Sequence, residues 1–176
     1  TISSNPQYVS GPTGYGMAID FDGANDYVRL LIGSAIALMS DITVATWANF
    51  ANLGGAWQRL WDFGMSDQIY MFVTPRMGTD GALRFAITAA GNTTETNITA
   101  SATLPSGWHH VAAVIDSASM IMMLYQDGRL VAEGLTPLLP SDLGETTENF
   151  LGRSQFAADS YYFGSLDEFR IYDRAL

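Results

Sequence analysis

An acidic pair, Asp167-Glu168, interrupts an apolar run near the end of the chain, in the segment FGSLDEFRIYDRAL. In a regular strand, side chains alternate between two faces, so Asp167 would share a face with Phe169 and Ile171. A carboxylate that faces an apolar core is costly unless a cation or several hydrogen-bond donors meet it. The sequence leaves two alternatives: the strand bulges here, or a positive group lies close to Asp167.

A second group of oxygen-bearing side chains lies near the start of the chain, in DFDGANDY, where Asp22, Asn25 and Asp26 surround a glycine. The spacing superficially resembles an EF-hand loop. However, glycine falls at the fourth loop position instead of the sixth, and Leu31 stands where glutamate is required. We therefore reject an EF-hand. A simpler role for Asp22 and Asn25 is to cap a tight turn by bonding their own backbone.

The sequence contains no convincing catalytic set. A glycosidase needs two carboxylates that face each other across a cleft, whereas Asp167 and Glu168 would point to opposite faces of a regular strand. His109 and His110 are also adjacent, so they would not bind one metal ion together. The chain has no cysteine and no Gly-x-Ser-x-Gly motif. We therefore expect a protein that is not an enzyme.

Aromatic residues that follow loops could form a binding surface. Trp57 comes after Asn-Leu-Gly-Gly-Ala, and the pattern places it on one strand face with Arg59 and Trp61. Aromatic rings stack on the apolar faces of sugars, and polar neighbours bind the hydroxyl groups. The alternative is that these rings fill a large core.

Tyr161 follows a second loop, which carries Gln155 and Asp159. Binding residues are often found on loops that a rigid scaffold positions. We therefore take Trp57, Arg59, Gln155, Asp159 and Tyr161 as the candidate carbohydrate-binding residues.

These residues must be positioned by β-strands, because helix signals are nearly absent. Apolar runs alternate with clusters of Gly, Asn, Asp, Ser and Pro, which is typical of an antiparallel sandwich. Asp127-Gly128 predicts a two-residue hairpin turn, and Asp80-Gly81 predicts a second. Residues 35–39 predict a short helical turn, and residues 1–13 a loosely held lead-in. About a dozen strands are predicted, at 17–21, 27–31, 42–50, 59–63, 69–74, 82–88, 95–99, 108–116, 120–125, 130–134, 150–152 and 161–172.

Composition limits the partners. The chain has 176 residues and a net charge of −10, and all eight of its basic residues are arginine. An acidic surface argues against nucleic acid and against an anionic membrane. No apolar stretch is long enough to cross a membrane. The length suits one large β domain. The chain begins at Thr1, so we expect an excised module whose targeting signal is not visible.

Five segments, in order, carry a family resemblance: MAIDFDGANDYVRL, DITVATWANF, GWHHVAAVID, LYQDGRLVAEG and FGSLDEFRIYDRAL. Together they resemble laminin-G-like jelly-roll domains of the concanavalin A-like lectin/glucanase superfamily, over residues 17–176. The resemblance implies an all-β, antiparallel two-sheet sandwich in a single domain, with Trp47 and Trp108 in the core. The fold hosts lectin-like, adhesive, structural and catalytic members, so it does not decide function.

The resemblance also implies a calcium site. Many relatives hold calcium near the opening Asp-Gly turn and the closing acidic pair, and calcium prefers carboxylate, amide and carbonyl oxygens. If the first and last strands pair, then Asp22, Asn25 and Asp167 would converge on one structural calcium ion, to which Asp62 or Gly64 could add a ligand. The alternatives are turn capping at Asp22 and an arginine partner for Asp167.

The leading hypothesis is a non-catalytic carbohydrate-binding module of a larger extracellular protein, which holds a polysaccharide or glycan and contains a structural calcium ion. The alternative is an adhesive or structural module that contacts protein on a cell or virion surface. A degenerate hydrolase is the third reading. It has little support, since the Glu-x-Asp-x-x-Glu pattern of the superfamily's laminarinase-like enzymes is absent.

Overall fold

The computed structural model describes residues 2–3, 6–79 and 81–176. In this part of the chain, two antiparallel sheets of seven strands each form a sandwich. The predicted fold class is therefore confirmed. Asp80, the first residue of the second predicted turn, lies outside the described residues.

The sheet that carries the candidate site, here called the front sheet, has the spatial order β1 (Ile2–Ser3), β4 (Tyr27–Leu30), β13 (Glu148–Leu151), β6 (Trp61–Ser66), β7 (Ile69–Thr74), β8 (Arg84–Thr88) and β9 (Thr96–Thr99). The back sheet has the order β12 (Arg129–Leu135), β11 (Ile121–Gln126), β10 (Trp108–Asp116), β5 (Ile42–Phe50), β14 (Phe163–Tyr172), β3 (Met17–Asp22) and β2 (Gln7–Ser10).

Helical structure is confined to short pieces. The helix α1 (Gly33–Ile36) overlaps the turn predicted at 35–39, and single 3-10 turns occur at Asn92–Thr94 and Pro140–Leu143. None of the helices in the described ranges has the length and apolar character needed to span a membrane. Within the predicted lead-in at 1–13, Gln7–Ser10 pairs with β3 as an edge strand.

The Asp127-Gly128 turn confirms the sequence prediction. It joins β11 to β12, with Gln126 opposite Arg129. Both turn residues have positive φ angles, 51° and 74°. Such angles match the right-handed twist of a two-residue hairpin and favour Asp-Gly at these positions.

The core lies between the two sheets. The front sheet contributes Trp61, Phe63 and Phe85, and the back sheet contributes Phe21 and Phe50, all at most 1% exposed. These residues belong to one continuous cluster. Burying large rings from both sheets stabilises the sandwich, because each ring removes much apolar surface from water.

The core positions implied for Trp47 and Trp108 are wrong. On β5, Ala48 and Phe50 face the core, so Trp47 lies on the outer face, where its ring is 5.7 Å from that of Tyr15. Trp108 is half-buried at the start of β10. Strand β5 is largely buried on both faces, so hydrophobicity alone does not reveal which side of the strand faces inward.

A bulge explains the acidic pair in β14. Pairing with β5 shifts register between Asp167 and Arg170, and Glu168 has a φ of 49°. The extra residue keeps Phe169 packed against the core, while Asp167 stands opposite Trp47 on the outer side. Of the two alternatives for Asp167, the structure shows the bulge.

Candidate ligand groove on the front sheet

The outer face of the front sheet carries a row of side chains across neighbouring strands. Phe150 on β13 is opposite Asp62 on β6, and Asp62 is opposite Phe72 on β7. Phe72 in turn faces Ala86 on β8. Residues paired in this way lie on the same side of a sheet, so the row is continuous, and all four of its residues are buried.

The loop before β6 covers part of this surface. Trp57 is half-buried and has a φ of 59°, a backbone angle that few residues other than glycine adopt. Gln58 fixes the loop, since its Nε2 donates to the carbonyl oxygens of Leu53 at 2.6 Å and Gly55 at 3.1 Å. The Trp57 ring is therefore held over the sheet by a loop with defined internal bonds.

Arg59 lies beneath Trp57 and is 2% exposed. Its Nε donates to Asp62 Oδ2 at 3.3 Å, and its Nη2 donates to Asp159 Oδ2 at 2.8 Å. The guanidinium carbon is 3.8 Å from the centre of the Phe72 ring, a cation–π contact. A third donor, Nη1, bonds the carbonyl oxygen of Trp57 at 2.6 Å. Arg59 thus ties the loop, the sheet and the Asp159 loop together.

One arginine serves two carboxylates here. Asp62 is fully buried, and this burial raises its pKa to about 7, although Arg59 and the backbone N–H of Gln155 oppose the rise. Burial also raises the pKa of Asp159, again opposed by Arg59 and by Ser154. Because burial outweighs the attraction of Arg59, both carboxylates bind a proton more readily than a solvent-exposed aspartate would.

A second polar network borders the groove, formed by side chains of β7, β8 and the residue before β9. Arg84 is ion-paired with Glu95, and the Tyr70 hydroxyl donates to the other Glu95 oxygen at 2.8 Å. Burial, with Glu95 second, raises the pKa of Tyr70, so the phenol stays protonated as a donor. The Arg84 guanidinium also lies 5.9 Å from the centre of the Trp57 ring.

Together these groups line a groove of about 450 Å³. It combines aromatic rings with charged and amide side chains, which is the composition of a site for a polar organic ligand. We call it the front groove. Its lining residues are Trp57, Arg59, Tyr70, Phe72, Met77, Arg84, Asn92, Glu95, Phe156 and Asp159.

Three of the five predicted carbohydrate-binding residues, Trp57, Arg59 and Asp159, meet in the front groove. Gln155 does not line it; its side chain donates to the carbonyl oxygen of Glu148 at 2.6 Å, and its backbone N–H to Asp62. The predicted shared strand face is wrong for Trp61, which starts β6 and points into the core.

Tyr161, the fifth predicted residue, lies outside the groove lining, in a neighbouring aromatic cluster. Its ring is 6.3 Å from that of Tyr27, which packs edge-on against Phe150 at 5.4 Å. Arg153 lies over both partner rings, at 4.8 and 4.7 Å. Phe150 and Phe72 are separated by one strand, so the cluster and the groove are roughly 10 Å apart on the same face.

Sequence reasoning missed several lining residues, notably Phe72, Arg84 and Glu95. Phe72 lies in IYMFVT, where residues on both faces are apolar, so alternation does not distinguish its outward side. Arg84 lies on β8 and Glu95 lies immediately before β9, and no local motif links them. The contact between them arises only from the pairing of β8 with β9.

The predicted calcium ligands do not converge. Asp22 is opposite Phe163 on β14, not Asp167. Asp167 lies four residues further along β14, which is a distance of roughly 13 Å. Asp22 Oδ1 instead accepts the backbone N–H groups of Ala24 at 2.8 Å and Asn25 at 3.3 Å. This arrangement is the turn-capping alternative.

The other proposed calcium ligands are also elsewhere. Asp167 approaches Gly11, where a Cβ would be 2.4 Å from its Oδ2, and Asp62 is bonded to Arg59. Within residues 2–3, 6–79 and 81–176, no three acidic, histidine or cysteine side chains cluster in a manner suited to a metal ion. Asp22, Asn25 and Asp167 therefore do not meet at one place, as a shared calcium ion would require.

The back sheet carries a second groove on its outer face, of about 380 Å³, lined by rings that include Trp47, His110 and Tyr172. The ion pair in this groove, Arg170 with Glu168, is much less buried than those of the front groove, because the Arg170 side chain is 58% exposed. The front groove has buried and mutually bonded polar groups, so it is the better candidate for a specific site.

Comparison with known proteins identifies the family. Residues 22–176 match the model of the concanavalin A-like lectin/glucanases superfamily, laminin-G type. The chain therefore belongs to this family. No curated protein sequence matches it.

Solved structures share the fold. Domain 4 of AbnA, a GH43 extracellular arabinanase from Geobacillus stearothermophilus solved with arabinotriose, superposes with a TM-score of 0.79 at 21% identity; the match covers 99% of this chain and 78% of that one. The CBM40 of Ruminococcus gnavus IT-sialidase, solved with α2,3-sialyllactose, has a TM-score of 0.71 at 13% identity, with 90% of each chain covered. NanB sialidase from Streptococcus pneumoniae has a TM-score of 0.67 at 18% identity, covering 89% of this chain and 26% of that one.

Proposed function

We propose that this chain is a non-catalytic carbohydrate-binding module that holds a glycan in the front groove. The observation that carries the proposal is the arrangement of Trp57 and Phe156, both partly exposed, around hydrogen-bonding groups that are already fixed by one another. Aromatic rings can stack on the apolar faces of sugar rings, while fixed carboxylate, amide and guanidinium groups bind hydroxyls with little loss of side-chain entropy.

The neighbouring Tyr27–Phe150–Tyr161 cluster supports an extended ligand, because the rings of Tyr27 and Tyr161 are partly exposed, whereas Phe150 is buried. It lies on the same outer face, roughly 10 Å from Phe72, since one strand separates β13 from β7. A single sugar in the front groove would not reach it. A chain of several sugars could contact both places, and this favours an oligosaccharide or polysaccharide over a monosaccharide.

The state of the groove carboxylates supports a binding role over hydrolysis. Glu95 accepts hydrogen bonds from Tyr70 and Arg84, and Asp159 from Arg59 and Ser154. Asp62 has the raised pKa expected of a general acid, but it is completely buried beneath the surface. It therefore lacks access to a glycosidic oxygen in the groove.

The context of the fold relatives supports a module of a larger extracellular protein. The arabinanase domain belongs to an enzyme described as extracellular, and the NanB match covers a quarter of that sialidase. An attached binding module would keep a partner domain close to its polysaccharide by raising the effective concentration.

Alanine substitution tests the proposal. A screen of neutral and acidic oligosaccharides and polysaccharides would be performed with and without added calcium, followed by calorimetric titration of the hits. Trp57→Ala should weaken binding by about tenfold or more, because a stacked ring contributes on the order of 1 kcal/mol beyond its area.

Trp108→Ala is the matched control, since Trp108 is a half-buried tryptophan of the back sheet. It should retain full affinity. Circular dichroism would establish that both variants fold. A wild-type protein that binds no glycan in the screen would overturn the proposal, and would favour the protein-contact alternative. If the two variants lost affinity equally, the binding site would not lie in the front groove.

A further inference from the structure

The front groove contains two arginines, and the carboxylates of the protein itself neutralise both. Arg59 lies between Asp62 and Asp159, and Arg84 is paired with Glu95. Formal charges sum to two positive and three negative. Even when Asp62 binds a proton, the groove has no net positive charge.

The donors of Arg59 point into the protein. Its Nε, Nη1 and Nη2 all have partners on the chain, and only 2% of the side chain is exposed. An anionic ligand group could bond this guanidinium only by displacing Asp159, the more accessible of the two acids at 14% exposed. That exchange would leave a displaced carboxylate next to the incoming one.

Arg84 is similarly committed. Its Nη2 bonds Glu95, and its Nη1 lies 3.2 Å from the sulfur of Met77. Its Nε has no partner within the described residues, but this atom is buried and thus out of reach of a ligand in the groove. Glu95 is 7% exposed, so it is held firmly against the arginine.

A third arginine near the site, Arg76, is also occupied. It donates to Asn52 Oδ1 at 2.9 Å, and to the carbonyl oxygens of Gly54 and Gly55 at 3.4 and 3.3 Å. The loop before Trp57 therefore uses this cation for its own structure. The net charge of the whole chain, −10, adds a long-range repulsion of anions.

From this charge balance we infer that the front groove selects neutral glycans and rejects sugars that carry a carboxylate. The inference rests on the proposed function and specifies its ligand class. Hydroxyl groups can donate to the paired carboxylates without breaking the ion pairs, since a carboxylate oxygen accepts more than one hydrogen bond. A carboxylate must break one ion pair, and the loss of a charge-assisted hydrogen bond should lower its affinity by a factor of roughly ten or more.

Matched ligands test the inference. Lactose and α2,3-sialyllactose differ by one acidic sugar, and arabinotriose is a second neutral probe. Titration calorimetry at pH 7 should show neutral hits that bind at least about tenfold more tightly than their acidic counterparts. The affinity for neutral sugars should be nearly independent of ionic strength, since no net charge is neutralised on binding.

Glu95→Gln provides the diagnostic variant, because it leaves Arg84 without its anion. It should reduce the discrimination against acidic sugars by several-fold. Glu133→Gln removes the same charge at an exposed position on β12 of the back sheet, and should leave the discrimination unchanged.

Different binding results would overturn the ligand class and the proposed function. If sialyllactose bound more tightly than lactose, and Trp57→Ala abolished that binding, the neutral-glycan inference would be overturned. The proposed function would remain intact. Equal responses of the Glu95→Gln and Glu133→Gln variants would also overturn the inference. Absence of binding to every neutral and acidic glycan would overturn the proposed function, and the inference with it.

Discussion

Replacing Arg59 by methionine should destabilise the protein strongly, because it leaves two carboxylates around an apolar side chain. Asp62 is completely buried, and Asp159 is 14% exposed. Removing one partner of a buried ion pair costs about 3–5 kcal/mol. Methionine has a similar volume and would keep part of the packing on Phe72, so most of this cost is electrostatic.

The deficit should depend on pH. Arg59 lowers the pKa of Asp62, which burial nevertheless raises to about 7, so in the variant this pKa lies higher still. At pH 5, Asp62 is protonated with or without Arg59, and the lost attraction matters less. At pH 8, the wild type holds an ionised Asp62 against Arg59, whereas the variant must bind a proton or bury an unpaired charge.

Urea unfolding at the two pH values measures this difference. With a slope of about 2 kcal/mol per molar urea, a loss of about 4 kcal/mol lowers the midpoint by about 2 M. Arg153→Met is the matched control. Arg153 lies over the rings of Tyr27 and Phe150, and its loss should cost about 1 kcal/mol at either pH.

A combined variant sharpens the test. Adding Asp62→Asn and Asp159→Asn to Arg59→Met removes the carboxylates as well as the cation, and should recover much of the lost stability. A cost of less than about 1 kcal/mol for Arg59→Met at pH 8, or an equal loss of stability at pH 5, would show that the ion pairs of Arg59 do not stabilise the fold.

Three further predictions concern stability. Between pH 4 and pH 7, the unfolding free energy of the wild type should fall by up to about 4 kcal/mol relative to that of Asp62→Asn. In this range Asp62 of the unfolded chain releases its proton, whereas Asp62 of the folded protein, with a pKa of about 7, retains it. Parallel pH profiles of the two proteins would contradict this. A chelator should leave the melting temperature unchanged, since Asp22 and Asp167 are apart; a fall of several degrees would indicate another ligand set. Gly33→Ala should cost more than about 3 kcal/mol in urea unfolding, since its Cβ would be 1.7 Å from the Thr146 carbonyl oxygen; a wild-type midpoint would be inconsistent with this packing.

The fold could be predicted from sequence because its signals are local. Strand-length apolar runs and the Asp127-Gly128 turn depend on neighbouring residues, and the turn adopts the positive φ angles that this dipeptide favours. Which side of a strand faces inward could not be predicted in the same way. On β5, residues of both faces are buried, so Trp47 and the true core tryptophan, Trp61, look alike in the sequence.

The site was predictable only in part, for a related reason. Trp57 and Asp159 lie on loops, and their polar or glycine-rich surroundings distinguish them from core residues. Arg84 and Glu95 become neighbours only when β8 and β9 pair. Asp167 would share a face with Phe169 and Ile171 only in a regular strand; the one-residue bulge, one of the two alternatives that the acidic pair left open, reverses the face of the side chains beyond it.

The position of β14 between β5 and β3 has a consequence for how the chain reaches this structure. The Thr46 hydroxyl bonds the carbonyl oxygen of Asp167, 121 residues away, and Ser165 bonds Asp20 across 145 residues. The middle of the back sheet therefore closes only when distant segments meet, and contacts of such separation slow folding. During synthesis on a ribosome, β3 and β5 would wait with exposed strand edges until β14 emerges, a period in which aggregation competes with folding.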